Sequence, residues 1–189
     1  MTGAGPIRAF VAFEIPAEIR EHIRKAQWSL REDLPRARWT RPEGQHLTLK
    51  FLGETPPAVV ETLAAGIAAG VAGLPAVTVQ LGGAGFFPSP QRPRVAWVGG
   101  STEGGAEVAA AVESAAVGLG WPPERRPWSL HLTQARLDRP WPRSAAEAFL
   151  DWGRGLDIPL FTCPEVVVFS SELGPGGAVY TALERCPLA

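Results

Sequence analysis

Two copies of one short pattern constrain this chain more than any other feature: His46-Leu47-Thr48-Leu49 and His131-Leu132-Thr133-Gln134. Turn-forming residues lead into each copy, and each reads as the start of a β-strand. Side chains two apart on a strand share a face, so each copy sets an imidazole beside a hydroxyl. Leu47 and Leu49, and likewise Leu130 and Leu132, turn to the other face and anchor in a core. If two such strands lie side by side across a cleft, the cleft gains two imidazoles for acid and base work and two hydroxyls that hold an anion. The fold must therefore bring two distant strands together.

The rest of the chain supplies elements for such a fold. Residues 7–14 are apolar on both alternations (Ile7, Ala9, Val11 and Phe13 against Phe10 and Ala12), as in a strand buried on both faces. In 17–32 the residues Ile19, Ile23, Ala26 and Leu30 trace one face of a helix. Residues 36–41 and 45–52 read as an extended pair around the turn Pro42-Glu43-Gly44. Thr55 is placed to cap a second helix that has Pro56 and Pro57 in its first turn and Val59, Val60, Leu63, Ile67 and Val71 inward. Val77, Val79 and Leu81 alternate as a half-buried strand paired with 94–98 across a long Gly- and Pro-rich loop, 82–93. That loop is either a surface excursion pinned by Phe86 and Phe87 or a wall of the cleft.

A third helix over 106–119 carries Val108, Val112, Ala115 and Leu119, and Ser144 with Glu147 reads as a capping box for a short fourth helix through Asp151. Strands at 157–162, 165–171 and 179–185 close the chain, the last two joined by Leu173-Gly174-Pro175-Gly176-Gly177. This mixed order predicts an α+β fold with antiparallel sheets and outer helices. The two halves echo one another as helix, strand, His-x-Thr strand, helix. The expectation is two pseudo-symmetric lobes around a central cleft, forming one bilobal domain over 1–189.

Composition removes several function classes. At 189 residues and 46% hydrophobic, the chain has the apolar content of one sizeable domain. A net charge of −1 and a pI near 6.3 argue against broad binding of duplex nucleic acid, although a local basic cleft stays open. No charged start followed by an apolar stretch marks the first residues, and no apolar run approaches the ~18 residues of a membrane span, so a cytoplasmic protein is expected. Cys163 and Cys186 have neither CxxC spacing nor the number for a disulfide framework, and read as reduced structural thiols.

A single His-Leu-Thr means little, because a lone histidine is more often structural than catalytic. Here two of only three histidines occupy it, the third being His22 on the polar side of the first helix. Catalysis, metal binding and coincidence remain as readings of these residues alone. Zinc is disfavoured because no third ligand stands near either histidine at the usual spacing. A GxSxG turn and a GxxxxGK[ST] loop are both absent, which disfavours a serine hydrolase and a nucleoside triphosphatase.

The stretch from Arg38 to Gly53, RWTRPEGQHLTLKFLG, closely resembles the first signature of the RNA 2′,3′-cyclic phosphodiesterases, the LigT-like or 2′-5′ RNA ligase family of two-histidine phosphoesterases. RAFVAFEIP from Arg8, GFFPSPQRPRVAWVG from Gly85, SLHLTQAR from Ser129 and the closing LGPGGAVYTALERCPL are similar to the family in order and spacing, so the resemblance spans nearly the whole chain. It implies hydrolysis of single-stranded RNA ends bearing a 2′,3′-cyclic phosphate to 2′-phosphomonoesters, with no metal and no cofactor. It also implies His131 as proton acceptor and His46 as proton donor, an assignment that the residues alone leave open. Thr48 and Thr133 would bond the non-bridging oxygens, and Arg136 would offset charge that grows in the transition state. Arg136 lies five residues past His131 and faces away on an ideal strand, so a bulge or the strand's end must turn it inward.

For the terminal base, Phe13 and Trp39 are candidate stacking platforms, each equally readable as core. Phe51 shares the parity of Leu47 and Leu49 and is expected to be buried. The arginines of 36–41, 92–94 and 125–126 either steer RNA or form ordinary solvated surface. A monomer is expected, since no long apolar face is left over. The rival functions are 2′-5′ joining of RNA ends, hydrolysis of small cyclic nucleotides or 2′-5′ oligonucleotides, and non-catalytic binding of RNA ends.

Overall fold

Among the described residues nine strands form two antiparallel sheets, and the alternation of the sequence sets which face of each is covered. The structure, a computed structural model, describes residues 5–174 and 177–189. The first sheet has four strands in the order β3 (His46–Thr55), β1 (Ile7–Glu14), β8 (Glu165–Gly174), β9 (Gly177–Pro187). The second has five, in the order β2 (Arg38–Trp39), β6 (Leu132–Arg136), β5 (Val95–Glu103), β4 (Val77–Phe87), β7 (Phe161–Cys163). With four helices the fold is α+β in two lobes.

The internal echo takes a definite form: strand, helix, His-x-Thr strand, helix. In the first copy β1 pairs with β3 around α1 (Ala17–Arg31), and α2 (Val60–Val71) follows; in the second β5 pairs with β6 around α3 (Gly105–Gly118), and α4 (Arg143–Arg154) follows. The crossover helices α1 and α3 are exchanged between lobes, whereas α2 and α4 pack on the sheets of their own. α1 sends Leu30 into a core with Phe86, Ala96 and Ala135 of the second sheet and with Trp141 and Phe149 beside it, while Glu113 of α3 meets Lys50 on β3. The largest core cluster draws on both sheets and on α1, α2 and α3, with Val11 and Leu47 packed among Val79, Leu81 and Val98. As expected, β1 is buried on both faces: Ala9, Val11 and Phe13 join this cluster, and Phe10 and Ala12 join a smaller one with Val167 and Phe169.

Several local expectations are corrected. Residues 36–41 and 45–52 do not pair with each other; β2 pairs with β6, because the 3₁₀ turn Pro42–Gly44 carries the chain from the second sheet to the first. Thr55 ends β3 and caps nothing, its hydroxyl donating to the Gly53 carbonyl at 3.2 Å, and α2 begins only after the 3₁₀ turn Pro57–Val59. In α1 the third buried position is Gln27 rather than Ala26, and Leu119 at the end of α3 is exposed. The capping box is also absent: Ser144 lies inside α4, and Glu147 accepts a hydrogen bond from Arg143 Nε at 2.7 Å.

The first half of segment 82–93 is strand. β4 continues through it in register with β5 up to Phe87↔Val95, a shift between Leu81 and Ala84 absorbs Gly82 and Gly83, and the Arg94 N–H closes the turn on the Phe87 carbonyl at 2.8 Å. Only the end of 157–162 is strand, since β7 starts at Phe161. Pro175 and Gly176 of the closing loop lie outside the described residues. Cys163 and Cys186 are free and buried, and burial pushes the Cys163 thiol up to about 12. No helix among the described residues is long and apolar enough to cross a membrane.

Candidate active site

Both motif histidines are held in the same way. The His46 Nδ1–H donates to the Gly44 carbonyl at 3.0 Å, and the His131 Nδ1–H donates to the Ser129 carbonyl at 2.9 Å, each acceptor two residues upstream in its own lead-in turn. A carbonyl only accepts, so Nδ1 carries the proton and Nε2 is left for substrate. Thr48 and Thr133 follow two residues later, each half-buried.

The fourth position of each motif carries a β-bulge. Val11 and Ala12 on β1 face Lys50 and Thr48, leaving Leu49 as the extra residue; Ala96 and Trp97 on β5 face Ala135 and Thr133, leaving Gln134 extra. An extra residue inverts the alternation downstream. On β3 both Leu49 and Lys50 are buried, and Phe51 emerges 63% exposed beside Phe10, with ring centroids 6.4 Å apart. The expectation of a buried Phe51 is therefore wrong, and the bulge is the reason. On β6 Gln134 and Ala135 are both buried toward the helices, Gln134 Oε1 accepting from Gln27 Nε2 of α1 at 2.5 Å. Arg136 thereby returns to the side of Thr133, the inward turn that its sequence position required.

His46 lies against Phe10 and Tyr180, with ring centroids 4.6 and 5.0 Å away. Burial pushes its pKa down to about 4; the hydrogen bond to Gly44 opposes this, and the neighbouring His131 and Arg136 add to it. The depressed value also makes stability depend on pH. Between pH 6.5 and 4 the unfolded chain takes up a proton that the folded imidazole refuses, so stability is full above pH 6.5 and falls as the solution is acidified toward pH 4. The loss expected from this group is up to about 3 kcal/mol. Urea midpoints measured from pH 7.5 to 4 check it: the acid limb should flatten in His46→Gln, and an unchanged limb would assign it to other groups.

His131 has its own aromatic neighbour, since the Phe87 ring stands edge-on at 5.3 Å and is itself 5.3 Å from Trp97. The Trp97 indole lies over Gly85, where a Cβ would come within 2.2 Å of the ring, so glycine is required under it. Trp128 Nε1–H donates to the Thr48 carbonyl at 2.8 Å, tying the lead-in of the second motif to the strand of the first. Beside Thr48 and His131 a pocket of about 940 Å³ extends toward α3, bounded by Phe51, Phe87, Trp128 and residues 124–127. Of the loop 82–93, Phe86 packs in the helix-side core and Phe87 lines this pocket, so the two readings of the segment apply to adjacent residues.

Neither expected platform faces the histidines. Phe13 is 0% exposed in the core shared by the two sheets, because it follows the parity of Val11 and not that of Phe10. Trp39 packs on the α1 and α4 side, 6.1 Å from Trp141, with the Arg31 guanidinium 5.0 Å over its ring. The aromatic rings that do surround the histidines are Phe10, Tyr180 and Phe87, of which the sequence points only to Phe87, as part of a possible cleft wall. The two buried faces of β1 looked alike in sequence, and β9, which carries Tyr180, joins only through β8. Among the described residues no three His, Cys, Asp or Glu side chains gather as a metal-binding group.

The chain matches the family model described as LigT like Phosphoesterase over residues 13–97. It is 33% identical over 196 aligned positions to a Thermus thermophilus protein, covering 96% of this chain and 90% of the relative. With an Escherichia coli protein it shares 31% identity over 186 positions, covering 97% of each. Both relatives are named RNA 2′,3′-cyclic phosphodiesterase. Among solved structures, TT0787 of T. thermophilus superposes with a TM-score of 0.75 at 28% identity over 96% of this chain and 98% of that one. E. coli LigT complexed with 3′-AMP gives 0.71 at 28% identity, over 97% and 98%. The chain belongs to the LigT-like phosphoesterase family.

Proposed function

We propose that this protein opens the 2′,3′-cyclic phosphate at single-stranded RNA ends to a 2′-phosphomonoester, without a metal ion, by acid–base work divided between His46 and His131. The observation that carries the reading is the matched pair of imidazoles, each fixed through Nδ1 by its own lead-in carbonyl, with Thr48 of the first motif and His131 of the second lining one pocket. The names of the relatives support the substrate class, and E. coli LigT has been solved with 3′-AMP and with phosphate.

In-line attack by water on phosphorus needs a base on one side and an acid on the other. His131 Nε2 takes the proton of the attacking water, and protonated His46 delivers its Nε2 proton to the departing 3′ oxygen. Thr48 and Thr133 donate hydroxyl hydrogens to the non-bridging oxygens, and Arg136 balances their growing charge. With its pKa near 4, His46 is neutral at pH 7 in the free protein, so it becomes a donor only when the phosphate anion raises its proton affinity. The same depressed value favours a second reading in which the two roles are exchanged. Residues 1–189 act as one bilobal unit, a cytoplasmic monomer in this reading.

The test is incubation of chelator-treated protein with an oligoribonucleotide ending in a 2′,3′-cyclic phosphate. The expected product is heavier by one water and resists a 3′-specific phosphatase. Loss of turnover with chelator and its return with zinc would overturn the metal-free mechanism. Joined RNA in place of hydrolysed ends would favour 2′-5′ ligation, the same displacement with a 5′-hydroxyl as nucleophile.

A further inference from the structure

The pocket beside Thr48 and His131 is large for the cyclic ribose phosphate alone: at about 940 Å³ it lies near the top of the ~300–1,000 Å³ range of small-molecule sites. Its walls differ in chemistry. Ala106, Ala109 and Ala110 of α3 contribute a small-residue wall, and Phe51 and Phe87 contribute aromatic surface at 63% and 38% exposure. Two aromatic rings kept exposed beside a cleft are a recurrent platform for unpaired bases.

The charges in this pocket are sorted as well. Glu113 is taken up by Lys50 Nζ at 2.7 Å and by the Glu124 N–H at 2.7 Å, and Glu124 lies 3.9 Å from the same lysine. Arg125 and Arg126 line the pocket, are exposed, and have no carboxylate within 4.0 Å among the described residues. The acids are thus held by Lys50 and by backbone, and the arginine pair is left for an anion from solution. A phosphodiester is the anion that a ribonucleotide chain leading into this cleft would bring.

We propose that the pocket is a subsite for the nucleotide preceding the cyclic end, its base against Phe51 and its phosphodiester on Arg125 and Arg126. The substrate class is therefore an oligoribonucleotide, and a mononucleoside 2′,3′-cyclic phosphate is a poor one. This inference rests on the phosphodiesterase reading for the location of the reacting phosphate.

Two measurements test it together: kcat/KM for a mononucleoside 2′,3′-cyclic phosphate against a dinucleotide with the same end, and Kd for the corresponding 2′-phosphate products. Wild type should favour the dinucleotide by about tenfold or more in both, with the preference shrinking as salt is raised. The double variant R125Q/R126Q should lose most of that preference while mononucleotide hydrolysis changes less than about twofold, and Phe51→Ala should weaken dinucleotide binding about tenfold. Equal treatment of the two ligands by wild type, or a preference that survives in the arginine variant, would overturn the subsite. If neither substrate turns over, the phosphodiesterase reading fails, and the Kd comparison still decides the subsite.

Discussion

Replacing His46 or His131 by alanine is expected to lower turnover on a cyclic-phosphate RNA end by about 10² to 10⁴, the usual worth of one general acid or base. The fold should survive either change, since both rings are only half-buried and each is tied to the chain by one hydrogen bond within its own turn. Circular dichroism and urea midpoints above pH 7 check that point. Near-parental turnover in either variant would remove that histidine from the mechanism. The division of roles has its own readout. With sulfur at the 3′ bridging position the leaving group departs as a thiolate and needs no proton. The variant lacking the acid should then recover most of its rate, and the variant lacking the base should not. Recovery in His46→Ala supports His46 as donor, and recovery in His131→Ala supports the exchanged assignment.

The largest stability effect is expected at Lys50. Its side chain is 2% exposed, and Nζ donates to Glu113 Oε2 at 2.7 Å and to the Pro122 carbonyl at 3.1 Å. Burial works to raise the Glu113 carboxyl, yet the hydrogen bonds from Lys50 and the Glu124 N–H, with the lysine charge, hold it below its ordinary value. Lys50→Met leaves that carboxylate and a carbonyl facing an apolar chain. Breaking a buried pair from one side costs about 3–5 kcal/mol, and the partial exposure of Glu113 puts this case near the lower end. Adding Glu113→Gln should restore part of the loss, because the remaining uncompensated charge is then gone. A urea-derived loss below about 1 kcal/mol in Lys50→Met would show that water replaces the lysine at little cost. Functionally, Lys50 and the Trp128–Thr48 hydrogen bond hold residues 122–128 to β3, and this segment delivers His131.

What the sequence made legible follows from its two periods. The His-x-Thr strands and the apolar stripe of α1 through Ile19, Ile23 and Leu30 were readable because alternation and helical spacing persist long enough to be counted. The errors cluster where a period breaks without a visible marker. Leu49 carries no glycine or proline to announce a bulge, yet it inverts the parity after it and exposes Phe51; at Gln134 the need to turn Arg136 inward is the one hint of a second bulge. Gly82 and Gly83 made the opposite mistake possible, suggesting a loop where the sheet absorbs them as an irregularity. Phe13 and Phe10 were indistinguishable by pattern because β1 is apolar on both sides, and only the partner sheet decides which side meets His46. Trp39 was misplaced for a related reason: its strand pairs with β6, distant in sequence, and not with the neighbouring β3.

The paired bulges also bear on how the cleft keeps its precision. A regular antiparallel strand can slip along its partner at modest cost when its side chains are interchangeable. A strand carrying a defect cannot, because the defect would have to migrate past buried Leu49 in one lobe or past the Gln134–Gln27 clasp in the other. Each imidazole and its hydroxyl are thus indexed against sliding by an irregularity one residue downstream of the threonine. Length changes at the rim leave this indexing intact, whereas deletion of a single residue inside either tetrapeptide resets an entire edge of the cleft.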